Sequence, residues 1–215
     1  MLKNMLLAAA LVPSLACAAE TKDVEYRKFI DAFHLTDFLE NKSDITSITR
    51  IQYELQPENK DLTWRDVSFI VEGQEYKPNR WFGLDLPVNA ELYARNPMMT
   101  RTSRLPGAFH LGMELVVVGA GGQSVDSAMI RRARDHYDDL IAHAGFTVRN
   151  FAPSMDTVIV HGEAAEGRCH IEGEGEEKSF GEVGEIKFEL KKVLKPESKQ
   201  IACSTPISEV LLDAD

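Results

Sequence analysis

Short segments of alternating apolar and polar residues, separated by Pro, Gly and Asn, constrain this chain more than any other feature. Residues 49–55 place Ile51, Tyr53 and Leu55 on one face of an extended segment. Segments 67–71, 82–86 and 109–118 have strand-like composition too, and turn residues separate them. Several short strands between positions 44 and 119 predict an antiparallel, sandwich-like β region.

Two segments have helical rather than alternating spacing. Residues 24–41 carry apolar side chains on one helical face, which predicts a first helix. Residues 125–144 form a stronger amphipathic pattern after the glycines at 119–122. Ser124 is predicted as the N-cap of this second helix and Gly145 as its stop.

The C-terminal part returns to strand-like patterns at 157–161, 168–172, 185–194 and 200–204, followed by a short apolar segment at 207–212. A helix followed by such strands predicts a helix packed on an antiparallel sheet, and the whole chain is α+β. The predicted organisation is a signal peptide at 1–19, a helix with a sandwich-like region at 20–119, and a helix with antiparallel strands at 120–215. The last two regions can also form one compact unit.

The first 19 residues have the three parts of a secretory signal peptide. Lys3 supplies the positive charge, residues 5–12 are apolar, and the small residues Ala16 and Ala18 mark a cleavage site. This predicts a periplasmic or secreted protein. A lipoprotein anchored at Cys17 is the alternative. No later apolar run reaches the roughly 20 residues of a membrane-spanning helix, so no transmembrane segment is predicted.

The two remaining cysteines, Cys169 and Cys203, predict a disulfide. Their number is even, both occur in strand-like segments, and an oxidising compartment permits the bond. Two buried free thiols are the alternative.

Charge and composition exclude several classes of protein. The chain is 44% hydrophobic, which argues against disorder. It has a net charge of −10, or −11 once Lys3 is removed with the signal peptide. Nucleic acids and anionic membranes are poor partners for so acidic a protein.

No catalytic or cofactor motif is found. The six histidines form no HExxH or HxH pattern, and no G-x-S-x-G or P-loop is present. His161, His170 and Glu172 are the residues that suggest a metal site, but surface histidines beside a disulfide cysteine explain them better. The many glutamates between 163 and 189 suggest a calcium site, but residues 172–177 are better interpreted as a mobile hairpin tip. No cofactor is predicted.

One partner surface is predicted from composition. Aromatic, methionine and arginine side chains suit interfaces, and here they occur close together in sequence at Trp81, Phe82, Met98, Met99 and Arg101. The alternative places Trp81 and Phe82 in the core.

The segments 84–87, 92–93, 96–97 and 105–107, with their Leu, Pro, Asn and Gly residues, resemble the strand-and-turn patterns of small exported bacterial β-sandwich modules. The resemblance covers about 60 residues. It implies a sandwich-like region and an exported bacterial protein, and it brings no catalytic residue or ligand.

Three functions follow as hypotheses. The first is an exported, non-catalytic binding or accessory module for another envelope protein. The second is a hydrolase whose catalytic residues are dispersed in the sequence. The third is a carrier that holds a small apolar ligand between the helix at 125–144 and the sheet.

Overall fold

A computed structural model describes residues 20–32, 35–38, 48–144, 150, 152, 154–164, 166–175 and 177–214. The predicted signal peptide, Cys17 and Gly145 lie outside these residues. Among the described residues the helices are α1 (Tyr26–Ala32), α2 (Ala90–Arg95), α3 (Ser127–His143) and α4 (Leu190–Val193), with short 3₁₀ turns at Leu35–Phe38 and Trp64–Asp66. The strands are β1 (Glu20–Glu25), β2 (Thr49–Pro57), β3 (Val67–Val71), β4 (Gln74–Tyr76), β5 (Gly83–Leu84), β6 (Met98–Ser103), β7 (Phe109–Val117), β8 (Gly122–Asp126), β9 (Thr157–Gly162), β10 (Arg168–Ile171), β11 (Glu177–Ser179), β12 (Glu185–Glu189) and β13 (Gln200–Asp213).

The strands form two antiparallel sheets. The small sheet has the order β1-β6-β3-β4. The large sheet has the order β11-β10-β13-β7-β2-β5, and β13 also pairs with β8 and with β9, which in turn pairs with β12. The predicted α+β class, with sandwich-like sheets and a helix packed on a sheet, is confirmed.

In the long pair β2–β7, alternate side chains point to the core face and to the outer face of the large sheet. The register of the pair runs from Thr49 opposite Val117 to Pro57 opposite Phe109. Ile51, Tyr53 and Leu55 are buried on the core face, as their alternation predicted. Helix α3 covers this face with the buried side chains of Ile130, Ala133 and Tyr137.

Strands from both predicted regions meet in the large sheet. β13 pairs with β7 at Leu211 opposite Val116 and Leu212 opposite Leu115. One core cluster extends from Tyr26 in α1 to Leu212 in β13. In the part of the chain that the structure describes, no helix is both long and apolar enough to span a membrane.

The first predicted helix is wrong at its start. Residues 20–25 form β1, which pairs with β6 over its whole length, and the helix begins only at Tyr26. The backbone N–H of Tyr26 donates to Pro97 O, which joins the helix to the end of the small sheet. Pairing with a distant strand therefore overrides the local helical spacing, which is a weak signal on its own. Residues 39–47 lie outside the described ranges.

The predicted start of the long helix is also wrong. Ser124 lies in β8 opposite Ala202 of β13, and Asp126 is the N-cap. Its carboxylate accepts a hydrogen bond of 2.7 Å from the N–H of Ala128. Sheet pairing continues up to Asp126, so the cap moves two residues along the chain.

Two of the C-terminal strand boundaries differ from prediction. The strand predicted at 185–194 ends at Glu189, because Leu190 and Val193 turn into α4 and are both buried. The segments at 200–204 and 207–212 are parts of one strand, β13, whose register shifts between Ala202 and Ile207. Pro206 falls within this irregularity, where a strand tolerates the loss of an N–H.

The predicted disulfide is present between Cys169 and Cys203. The two residues face each other across the β10–β13 pair, with their Cα atoms 4.0 Å apart. The bond ties the β10–β11 hairpin to the longest strand of the sheet.

Removal of this disulfide is expected to destabilise the fold. The double variant Cys169→Ala and Cys203→Ala frees a loop with a sequence separation of 34, which is worth about 2–4 kcal/mol of unfolding free energy. Urea unfolding followed by circular dichroism measures this difference. An unchanged urea midpoint would contradict a stabilising disulfide.

Candidate functional site

The outer face of the large sheet carries an unusual set of buried polar residues. Arg50, Gln52 and Glu54 project from β2 on the side opposite its core residues. A small apolar cluster of Val116, Ile159 and Leu211 lies on the same face and is separate from the main core. Polar side chains therefore lie beside an apolar patch on the same face. Water is partly excluded there, so charges interact strongly.

His161 is the centre of this polar set. It is 3% exposed and lies between two carboxylates from the neighbouring strands. Its Nε2 is 3.5 Å from Glu185 Oε2 of β12, and its Nδ1 is 3.5 Å from Glu209 Oε2 of β13. These separations are those of ion pairs rather than of short hydrogen bonds.

Trp81 covers His161 from the solvent side. The two rings are stacked, with centroids 4.1 Å apart and an interplanar angle of 6°. The indole N–H donates to Val183 O at 2.8 Å. Arg80 lies over the Trp81 ring and donates to the carbonyls of Gly162 and Glu163, so this loop is fastened across the end of β9.

Glu209 is held by donors from two other segments. Its Oε1 accepts from Arg50 and from Gln52 Nε2, each at 3.2 Å, and its Oε2 accepts from Asn79 at 3.3 Å. Gly83 leaves the room for Gln52, because a Cβ there would lie 2.2 Å from Gln52 Oε1. The carboxylate is therefore compensated by cationic and amide donors as well as by His161.

The environment of His161 favours its charged form. Burial alone lowers the pKa of His161, but Glu185 and Glu209 outweigh that effect and raise it above its ordinary value. The contact with His161 holds the pKa of Glu185 below its ordinary value, against the opposing effect of burial. An imidazolium between two carboxylates is the state that this arrangement stabilises.

Glu114 of β7 is different because burial and neighbouring acids oppose its charge more than His161 favours it. Its side chain is 6% exposed, and no hydrogen bond or ion pair reaches it from the described residues. Burial, reinforced by the nearby carboxylate of Glu54, raises the pKa of Glu114 to about 8. A carboxyl group that is neutral at pH 7 therefore lies beside an acidic neighbour.

Strand β7 also has an unpaired edge. The N–H of Leu55 points away from β7, since it donates to Phe82 O at 3.0 Å. Residues that lie opposite each other in an antiparallel pair either exchange both hydrogen bonds or exchange none, so Leu111, opposite Leu55, directs its N–H and C=O away from β2. Phe109 and Met113, two residues to either side, do the same. β13 pairs with β7 only at Leu115 and Val116, so within the described ranges nothing pairs with this edge at 109–113.

The surroundings of this edge are apolar on one face and acidic on the other. Leu111 points to the same side of the sheet as the core residues, but it is 40% exposed because it lies near the open edge. The half-buried Phe109 and Met113 lie beside it. On the outer face lie Glu54 and, at the end of the ribbon, Glu58, which is 3.4 Å from His110. The edge carries none of the Lys or Pro residues that usually protect open strands.

The structure does not bring the predicted metal residues together. His161 pairs with Glu209 and His170 with Ala202, towards opposite ends of β13. His170 is exposed, while Glu172 accepts from Gln200 at 2.9 Å. Among the described residues no group of three or more metal-ligating side chains could hold an ion.

The five residues of the predicted partner surface lie on two sheets. Trp81 and Phe82 precede β5 of the large sheet, whereas Met98, Met99 and Arg101 belong to β6 of the small sheet. Met98 is exposed and Met99 is buried. Arg101 is mostly covered and lies 4.9 Å from the Phe109 ring centroid. A partner at these residues stays a prediction.

The acidic hairpin tip is tied to the rest of the fold. Arg168 opposite Ser179 confirms a β10–β11 hairpin. Glu174 forms an ion pair of 2.7 Å with Lys195, and the N–H of Lys199 donates to Glu172 O. These contacts hold the tip against the segment that precedes β13.

Sequence reasoning missed Glu54, Glu114, Glu185 and Glu209. One signal was available for Glu114, since it is a single acid directly before the apolar run Leu115–Val118. Glu54, Glu185 and Glu209 come together only through the order of the strands in the sheet, which a single sequence does not reveal.

A comparison of the chain with protein-family models finds no match. Searches of curated proteins and of solved structures find no match either. Function has to be inferred from the residues and geometry of this chain.

His161→Gln is expected to lower stability more at pH 6 than at pH 9. The raised pKa of His161 means that its contribution is complete below about 6.5 and is lost as pH rises through the folded value. The loss at pH 6 should be about 2–4 kcal/mol, because two buried carboxylates lose their partner. Urea unfolding at the two pH values measures it, with the exposed His170→Gln as control. An equal loss at pH 6 and 9 would show that the charge is irrelevant.

Glu114→Gln is expected to raise stability at alkaline pH. In the folded protein Glu114 keeps its proton up to about pH 8, whereas in the unfolded chain it ionises near 4.5. Ionisation therefore favours unfolding increasingly from pH 4.5 to 8, and Gln escapes this effect. The gain should be about 2–4 kcal/mol at pH 8 and close to zero at pH 4. Urea unfolding across this range, with Glu91→Gln on α2 as control, tests it, and a destabilised variant at pH 8 would contradict it.

Proposed function

We propose that this chain is an exported, non-catalytic binding module that receives an extended segment of a partner protein at the open edge of β7. One observation carries the proposal. β7 runs from Phe109 to Val117, but β13 pairs only with Leu115 and Val116, which leaves a strand edge of about five residues.

Strand addition fits the chemistry of this edge. Phe109, Leu111 and Met113 each present one N–H and one C=O outward. An added strand satisfies these groups through main-chain hydrogen bonds, and its alternate side chains provide specificity. The added segment would continue the line of β13, in the plane of the large sheet.

Charge identifies the kind of segment. Glu114 of β7 lies on the outer face near the edge, Glu54 and Glu58 lie on the same face on the other side of β7, and the whole chain carries a charge of −10. Two copies paired through this edge would bring these acids together, which disfavours self-association. We therefore infer a partner segment that is apolar on the face beside Leu111 and basic on the outer face.

Export is supported by the predicted signal peptide and by the disulfide. An oxidising compartment such as the periplasm or the exterior suits Cys169–Cys203. A lipid anchor at Cys17 is the alternative form of the same localisation. Mass spectrometry of the mature N-terminus distinguishes an acylated Cys17 from a chain that starts after Ala18 or Ala19.

The two other hypotheses gain less from the geometry. A hydrolase needs an accessible acid, base or nucleophile, but Trp81 covers His161. A carrier needs space between α3 and the sheet, where Ile130, Ala133 and Tyr137 are packed into the core.

The variant Leu111→Pro is expected to abolish strand addition without unfolding the protein. Proline removes an N–H that points to the open edge, so the hydrogen bonds between β2 and β7 remain. The probe is a fluorescent seven-residue peptide of alternating Val and Lys. Fluorescence anisotropy should show binding to the wild type and a loss of at least tenfold in the variant.

Leu111→Thr is the matched control, because it shortens the side chain but keeps the N–H. Hydrogen exchange should show that the peptide protects the amides of Leu111 and Met113, while His110 and Gly112, already bonded to β2, do not change. Equal binding by wild type and Leu111→Pro would contradict strand addition. If the amides of Leu111 and Met113 become protected without peptide as the protein concentration rises, the segment that binds the edge comes from a second copy of this chain and not from a different partner.

A further inference from the structure

Glu54 and Glu114 are diagonal neighbours on the outer face of the β2–β7 pair. Glu54 lies opposite Gly112, and Glu114 lies two residues further along β7, opposite Gln52. Side chains in this relation are within reach of each other, since diagonal Cα atoms are about 7–8 Å apart and the Cβ atoms are nearer. The carboxylate of Glu54 adds to the effect of burial in raising the pKa of Glu114, which agrees with that proximity.

Gly112 leaves an opening between this pair and the open edge. A Cβ at position 112 would lie 3.0 Å from Glu54 Oε2, so the carboxylate leans into the space above the glycine. Neighbouring strands are about 4.8 Å apart, and a long side chain on an added strand can therefore cross over Gly112 to Glu54. A bulky residue at 112 would block that path.

Glu114 itself indicates what is missing. A carboxyl group that is nine-tenths buried normally has a hydrogen-bonding partner, but none of the described residues supplies one. Arg50 and Asn79 are engaged with Glu209, and the charge of His161 lowers the pKa of Glu114 by less than burial and Glu54 raise it. A cationic donor entering from the edge would satisfy Glu114 and Glu54 together.

We propose that Glu54, Gly112 and Glu114 form a socket for the ammonium or guanidinium group of one Lys or Arg side chain on the segment added at β7. This inference rests on the proposed function and names the chemistry that selects its partner. The open edge supplies main-chain hydrogen bonds, and the socket supplies the charge selectivity that a bare strand edge lacks.

Occupation of the socket should release a proton. The charged groups facing Glu114 are Glu54 from β2, Glu209 and Asp213 from β13, and His161 from β9. A bound cation favours the ionised form of Glu114, so affinity should rise as pH increases from 6 to about 8.5. The Lys side chain of the probe stays charged throughout this range.

The experiment compares two peptides on the oxidised chain. One is the alternating Val and Lys peptide, and the other has Gln in place of every Lys. Fluorescence anisotropy is measured at pH 6, 7 and 8.5 and at two salt concentrations. The Lys peptide should bind at least tenfold more tightly at pH 8.5 than the Gln peptide, and added salt should reduce that difference.

Three variants separate the socket from the edge. Glu114→Gln should reduce binding of the Lys peptide by about tenfold and remove its pH dependence. Gly112→Val should leave the two peptides with equal affinity, because it closes the path to Glu54. Glu91→Gln on α2, an exposed acid outside the β2–β7 pair, should change neither the affinity for the Lys peptide nor its pH dependence.

The outcomes distinguish the two proposals. If both peptides bind equally and both protect Leu111 and Met113 from exchange, strand addition stands and the socket is wrong. If neither peptide binds, both proposals fail. If Lys binding is selective but unaffected by Glu114→Gln and Gly112→Val, the cation binds elsewhere and the socket is wrong.

Discussion

The antiparallel pairing of β2 with β7 is the interaction on which the rest of the structure depends. Its nine-residue register sends Ile51, Tyr53 and Leu55 to the core, and Arg50, Gln52 and Glu54 to the outer face. A shift of one residue would exchange these two sets, so burial of the core face fixes the pairing. The same register decides which backbone groups of β7 meet β13 and which remain at an open edge. The core, the polar face and the open edge thus follow from one pairing.

The outer face shows two solutions to the cost of burying charge. Around His161 every charge has a partner, since Glu185, Glu209, Arg50 and Trp81 surround or neutralise it. Around Glu114 the cost is avoided by retaining a proton, as its raised pKa shows. The first arrangement pairs its charges and fastens the loop that carries Trp81. The second is incomplete, and it borders the edge.

Patterns local to the sequence predicted much of the fold. The strand-like patterns at 49–55 and 67–71 correctly predicted β2 and β3, and the even number of cysteines correctly predicted the disulfide. Prediction failed where distant pairing decides the outcome, as for β1, which forms because β6 lies beside it. The candidate site was unpredictable for the same reason, because Glu54 and Glu114 are neighbours only through the register. His161 was noticed in the sequence, but with the wrong companions.

A comparison along β7 supports the proposed role of Glu114 in binding. Glu114 and Val116 both occupy the outer face, and both are 6% exposed. Val116 stabilises the fold by burying apolar surface, whereas Glu114 at the same exposure loses much of its hydration and gains no hydrogen bond from the described residues. An apolar residue there would be the more stable choice. The two positions differ in what lies beside them, since Val116 pairs with Leu211, whereas Glu114 lies near Asp213 at the end of β13, next to the start of the open edge. Under the proposed strand addition, the added segment would bring a counter-charge to this destabilising residue, and such a sacrifice of stability is common at binding sites.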